Sequence, residues 1–320
     1  MAHKSYKVSA PGSLMLMGEH AVLSGKHAIV CAISKRLNMQ LTPVAGQEIT
    51  ITDTRLGSMV QNIQDLQIIA PFKFVLSVIA LFKEQMPNNF TSGFNLDINS
   101  EFSSEIGFGS SAAVTVATVA VLGQWLHGTA LTNAQIFTLA RRAMLNVQVV
   151  GSGADLAASI FGGVLGYKIK PYKYCKLPII PNLTAVYCGY KTPTATVINI
   201  VNAAALQQPR VYASIFDTMD TCTQQAMVAI RESNWDALGK LFAQHHGLQV
   251  ALGVSDHSLN TLVHELSMQS EIYGAKISGS GLGDCVIGLG TASNEIFAQQ
   301  NGIVQFLMAI DQQGLIYASN

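Results

Sequence analysis

The apolar residues of this chain recur in two periods, and their alternation outlines its elements. Residues 6–10 alternate as a half-buried strand does and meet a turn signal at Pro11-Gly12. Residues 28–32, 37–42, 48–52 and 94–98 read as further strands. A helical period runs over 71–83 and again over 133–147, the latter behind a cap at Thr132 or Asn133. A short helix is expected at 156–161, for which Asp155 would suit the N-cap whatever else it does, and Gly162-Gly163 then turns into a strand at 164–170. In the second half, strands are expected at 183–190, 276–278, 284–289 and 315–318, with helices at 209–232, 235–252 and 257–273. Strands and helices in both halves predict an α+β protein. Three prolines and several lysines interrupt the pattern between 170 and 181, which divides the chain into domains at 1–172 and 173–320.

Composition narrows the function. A length of 320 residues suits two domains or one large one. Lys+Arg and Asp+Glu both number 19, so no electrostatic footprint points to nucleic acid or to an anionic membrane. Any anion bound here must be held by local geometry. The longest clean apolar run, 112–123, falls short of the roughly 20 residues a spanning helix needs. The N-terminus, Met1-Ala2-His3-Lys4, has no apolar signal core. The five cysteines are odd in number, widely spread and without a CxxC pair, as expected of free thiols in a reducing compartment. A cytoplasmic protein is the expectation.

The candidate chemistry lies in three polar, glycine-rich segments. Glu105-Ile106-Gly107-Phe108-Gly109-Ser110-Ser111-Ala112-Ala113 runs straight into the apolar stretch 112–122. A glycine turn feeding a helix aims unpaired N–H groups and the positive helix end at one point, which is an anion site. The same residues also suit a simple helix cap. A second loop, Lys276-Ile277-Ser278-Gly279-Ser280-Gly281-Leu282-Gly283-Asp284-Cys285, lies between two expected strands, and a third polar turn spans 10–23.

Together, and in this order, the three segments resemble the motifs of the GHMP kinases, the superfamily of galactokinase, homoserine kinase, mevalonate kinase and phosphomevalonate kinase. The resemblance covers nearly the whole chain. It implies a two-domain fold, with a left-handed βαβ crossover in the N-terminal domain and a ferredoxin-like C-terminal domain. ATP, Mg²⁺ and a small-molecule substrate would meet in the cleft between them. By resemblance, Gly107, Gly109, Ser110, Ser111 and Ala112 hold ATP with Gly279, Ser280 and Gly281, and Ser111 also helps hold Mg²⁺. No GK[ST] follows the glycines, so this is not a Walker loop, and no Rossmann unit is present.

Gly18-Glu19-His20-Ala21-Val22-Leu23, followed by Gly25-Lys26, looks most like the mevalonate kinases. There Glu19 and His20 match positions lining the mevalonate pocket. Asp155, at the end of Gly151-Ser152-Gly153-Ala154-Asp155, matches the family's catalytic aspartate. Ser13 and Thr196 are further substrate-side candidates. Thr196 belongs, with Lys191, Thr192 and Thr194, to a turn resembling one that faces the phosphates. Two positions depart from the pattern. Ser13 stands where these kinases carry lysine, for which Lys26 or Lys191 could substitute. Met144 stands where a metal-binding glutamate is usual, and Glu105 could supply the missing carboxylate.

Gly-Ser-Gly-x-Asp at 151–155 and Gly-Asp-Cys at 283–285 resemble the phosphomevalonate kinases more closely. A phosphorylated acceptor would need further cations, drawn from Lys26, Lys35, Arg36, Arg141, Arg142 and Lys191. The resemblance taken whole implies transfer of the γ-phosphoryl of MgATP to the 5-hydroxyl of mevalonate, with phosphomevalonate as the runner-up acceptor and a sugar behind it. A nucleotide sensor without turnover is the reading of another class, and retention of Asp155 opposes it. His245-His246 lacks a third ligand and reads as a surface or helix-end pair. The resemblance is compatible with a homodimer.

Overall fold

The computed structural model describes residues 4–103, 105–148, 150–293, 296–297 and 302–318. Its first sheet has eight strands. These are β1 (Tyr6–Met17), β2 (Ala28–Val44), β3 (Glu48–Asp53), β4 (Gly57–Asn62), β5 (Gly93–Ser100), β6 (Val164–Ile169), β7 (Tyr172–Leu177) and the C-terminal β12 (Ile316–Tyr317). The main order is β12-β1-β2-β5-β3-β4, with β6 paired to β2 and β7 to β6. Among the described residues only β3 and β5 run parallel, and the helical excursion α1 (Lys73–Gln85) lies in the connection between them.

Two expected breaks are not there. β1 does not stop at Pro11-Gly12 but continues to Met17, with its register against β2 shifting between those two residues. The expected strands at 28–32 and 37–42 are one strand, β2. Arg36 fastens the irregular stretch between them. Its guanidinium donates to the Ser9 hydroxyl and carbonyl and to Gly314 O, and it is ion-paired with Asp311.

Four helices cover the first sheet. Beside α1 these are α2 (Ser110–His127), α3 (Asn133–Val147) and α4 (Ala154–Phe161). α2 is apolar nearly all round and, but for Val114, is buried from Ala112 to Gly123, so it forms the middle of the core. Its buried Thr115 and Thr118 hydroxyls donate back to the Ser111 and Val114 carbonyls at 2.6 and 2.7 Å. Thr132 is the cap of α3, closing a capping box with Gln135. The cap of α4 is Gly153, not Asp155, which stands inside the first turn. There its carboxylate is turned to a tertiary partner, described below.

The second sheet comprises β8 (Leu183–Tyr187), β9 (Ile272–Ser278), β10 (Cys285–Gly290) and β11 (Val304–Met308). Its order, β11-β8-β10-β9, is the 4-1-3-2 antiparallel arrangement of a ferredoxin-like sheet. Helices α5 (Thr194–Gln207), α6 (Pro209–Arg231), α7 (Trp235–Ala251) and α8 (His257–Ser267) are all inserted between β8 and β9. The helix expected over 257–273 thus ends six residues early and β9 begins. Bare backbone explains the switch: a Cβ on Gly274 would lie 2.1 Å from Gly239 O of α7. Only an extended, side-chain-free segment packs that closely against the helix. β7 pairs with β6, so the division expected at 172/173 falls at the start of a strand of the first sheet. No described helix is long and apolar enough to cross a membrane.

α2 packs on β1 and β2 of the first sheet, and its Trp125 reaches β5. Phe94 of β5 is fully buried and meets Trp125 of α2 edge-on, ring centroids 5.3 Å apart. Phe94→Ala should cost about 3–5 kcal/mol in urea unfolding, the usual range for a buried phenylalanine. A loss below about 1 kcal/mol would show that this contact does not anchor the helix.

Candidate active site

A cleft of about 1220 Å³ opens where the two sheets' loops meet, and the three glycine-rich segments all border it. On one side, Gly107 and Gly109 adopt positive φ of 80° and 66° and deliver the chain to the first turn of α2. The N–H groups of Ala112 and Ala113 both donate to Gly109 O at 3.0 Å. Ser110 and Ser111, which line the cleft, are therefore the open donors of the helix end. Ala112 is buried and serves as packing. Glu105 lines the same cleft and is exposed, so a carboxylate and the Ser111 hydroxyl both offer oxygens to it. Met144, buried, lines it as well and offers no such oxygen.

Ser13 joins this loop to the candidate base. Its N–H donates to Phe108 O at 3.0 Å and its hydroxyl donates to Asp155 Oδ1 at 2.9 Å. Gly109 passes so close that a Cβ there would stand 2.0 Å from the Ser13 oxygen. Burial raises the Asp155 pKa above the ordinary carboxylate range, while the Ser13 hydrogen bond and the charge of Lys191 pull it back.

Glu19 and His20 form a second polar wall. His20 holds a positive φ of 59°, and its Nε2 lies 2.8 Å from Ser280 O. Burial lowers its pKa, so the ring is neutral near pH 7. The Nε2–H tautomer then donates to Ser280 O and leaves Nδ1 as an acceptor. Glu19 Oε1 takes a 2.5 Å hydrogen bond from Lys276 Nζ, a fully buried ion pair between the two halves of the chain. His245 Nε2 accepts the Gly18 N–H at 2.9 Å, so it cannot also donate to Glu19 Oε2, 3.7 Å away. Burial pushes the His245 pKa well down and keeps the ring neutral. Glu19 Oε2 and Ser280 Oγ thus remain buried without a hydrogen-bond partner, on residues that border the cleft. Orphaned acceptors and donors of this kind are expected where a ligand completes the network.

The site departs from the sequence expectation at several residues. His245, in α7, is buried, not on the surface, and Lys276, at the head of the second glycine segment, is an unexpected buried cation; neither carries a sequence signal beyond its residue type. Thr196 falls in the first turn of α5, exposed and off the cleft, while Thr194, Ala195 and Ile198 of that helix face it. Gly281 packs on Val254, where a Cβ would meet the carbonyl at 2.2 Å, so it shapes the loop from behind. Gly279 and Ser280 border the cleft. Of the six cations considered, only Lys191 lines it. Lys26 pairs with Asp217, Arg142 with Glu84, and Arg141 lies over the Tyr172 ring. Arg55 and Lys73, not considered from sequence, also border it. Among the described residues no three His, Cys, Asp or Glu side chains converge as a ready-made metal site.

Comparison with known proteins agrees with this geometry. The family model for the N-terminal domain of GHMP kinases matches residues 73–163, and that for the C-terminal domain matches 226–301. A mevalonate kinase of Thermococcus gammatolerans is 31% identical over 88% of this chain and 88% of its own. One from Saccharolobus solfataricus is 26% identical over 98% of each chain. The crystal structure of Methanococcus jannaschii mevalonate kinase superposes with a TM-score of 0.81, at 24% identity, over 97% of this chain and 98% of that one. With both halves matched and such identity along most of its length, the chain belongs to the GHMP kinases, enzymes that phosphorylate a hydroxyl group.

Proposed function

We propose that this kinase transfers the γ-phosphoryl group of ATP to the 5-hydroxyl of mevalonate, with Asp155 as the base. The observation that carries the reading is the meeting, in one cleft, of an open helix end and a partly buried carboxylate held by Ser13. Phosphoryl transfer asks little covalent work of the protein; it asks for alignment, for charge to be neutralised, and for an acceptor of the hydroxyl proton. The Ser110 and Ser111 N–H groups suit the phosphates of the nucleotide. Asp155 receives the proton from the attacking oxygen. Glu19 Oε2, lacking a protein partner, accepts from a second substrate hydroxyl, and Ser280 Oγ is free to donate. Mevalonate, a hydroxy acid with two hydroxyls, suits this set, and the curated relatives bear its name.

Mg²⁺ fits the donors present. It prefers hard oxygens and takes one or two from protein, the rest from phosphate and water. Glu105 and the Ser111 hydroxyl would hold it, both bordering the cleft. When bound, the ion neutralises charge that develops on the phosphates.

Asp155→Asn should lower kcat on mevalonate by roughly 10²–10⁴ while MgATP still binds. A variant that keeps more than a tenth of the rate would remove Asp155 from the role of base. The pH profile follows from the same group. Only ionised Asp155 can accept a proton, and its pKa is raised, so kcat/KM should fall with decreasing pH from above the ordinary aspartate range. Ser13→Ala removes a donor that favours the ionised form, and the acid limb should move up by roughly one pH unit. An unmoved limb would show that Ser13 does not tune the base. Glu105→Gln should raise the Mg²⁺ concentration at half-maximal rate severalfold, and an unchanged requirement would rule this carboxylate out.

A further inference from the structure

The role of Asp155 leaves one electrostatic question. A carboxylate drawn out of water and supported by a single serine hydroxyl needs a nearby positive charge to stay ionised. The groups that act on it or share its surroundings are Ser13, Glu19, Asp284, Lys191, Cys31 and Tyr167. Glu19 and Asp284 are acidic and oppose its ionisation. The Cys31 thiol is pushed up to about 12 by burial, and Tyr167 is pushed up further, so both are neutral. Lys191 is the one cation of the set.

The segment carrying Lys191 is stapled to the second glycine loop. Asp284 N–H donates to Tyr190 O at 3.0 Å, Cys188 N–H donates to Asp284 O at 3.0 Å, and the Thr192 hydroxyl donates to Leu282 O at 2.5 Å. Asp284 itself is buried at a positive φ of 63°, and its Oδ1 is 3.1 Å from Lys191 Nζ. The same carboxylate packs on Gly107 of the first glycine loop, where a Cβ would lie 3.0–3.2 Å from Asp284 atoms. The ammonium is therefore one carboxylate away from the phosphate-binding loop, in the cleft that Asp155 borders.

We propose that Lys191 is the electrostatic partner of Asp155, and that Asp284 is the positioning residue that holds its ammonium beside the first glycine loop. The inference rests on Asp155 being the base. It assigns to the Gly-Asp-Cys segment a role in setting charge at the reacting hydroxyl, through a lysine that no glycine motif contains. A charge so placed favours the carboxylate before proton transfer.

The test is the carboxyl ¹³C titration of Asp155 in the full-length protein, its signal assigned by its absence in Asp155→Asn. It requires no acceptor substrate. Lys191→Met should raise the midpoint by roughly one pH unit, and Lys191→Arg should leave it near the wild-type value. Asp284→Asn separates two effects of opposite sign. Loss of its negative charge alone moves the Asp155 midpoint down, whereas release of the ammonium moves it up. We expect the midpoint to rise, with kcat lowered about tenfold or more. An unmoved midpoint in Lys191→Met overturns the partnership, and a downward shift in Asp284→Asn overturns the positioning role. If the wild-type enzyme fails to phosphorylate mevalonate, the acceptor assignment falls by itself, because the titration still reports on Lys191.

Discussion

The contact on which this site depends is the one around Ser13. Its backbone binds the first glycine loop, its hydroxyl binds Asp155, and Gly109 lies against that hydroxyl with no room for a side chain. Strand β1, the mouth of α2 and the first turn of α4 are thereby fixed to one another within a few ångströms. Nucleotide end and base share one fastening. A displacement of either would be felt by the other, because the core beneath them is close-packed and transmits strain.

The balance of charge in the whole chain gives this local geometry its importance. With equal numbers of acidic and basic residues, no broad positive field draws a polyanion in. Attraction must come from a helix end, a few N–H groups and selected cations working over short range in a cleft of reduced dielectric. The buried groups obey the same economy. Glu19 is matched by Lys276, His20 and His245 are neutral, and each makes a defined hydrogen bond. Two of the buried atoms left unmatched, Glu19 Oε2 and Ser280 Oγ, belong to residues that border the cleft, where a ligand can match them.

Much of this was legible in sequence. The glycine segments marked the cleft because their spacing encodes backbone that only glycine tolerates, and Asn133–Val147 declared itself by period and cap. Other elements lacked such signals. β7 is an exposed edge strand rich in lysine and tyrosine, and α5 opens Thr-Ala-Thr behind a proline, a pattern shared with loops. Pro11-Gly12 is locally a turn signal that predicts an early end to β1, whereas in the fold a register shift absorbs it. The burial and pairing of Lys276 and His245 carry no local signal, for a deeper reason. Their roles exist only after distant segments meet: Glu19 and Lys276 are 257 positions apart.

That separation bears on inheritance. The carboxylate of Glu19 comes from the first half of the chain and the ammonium of Lys276 from the second, and they neutralise each other out of reach of water. Removing one partner of such a pair typically costs about 3–5 kcal/mol, a large share of a domain's stability. The halves are consequently not interchangeable modules. A chimera joining the amino-terminal half of one kinase to the carboxy-terminal half of another would have to carry both residues or neither, and a lineage altering this pair must pass through a destabilised ancestor or change both positions together.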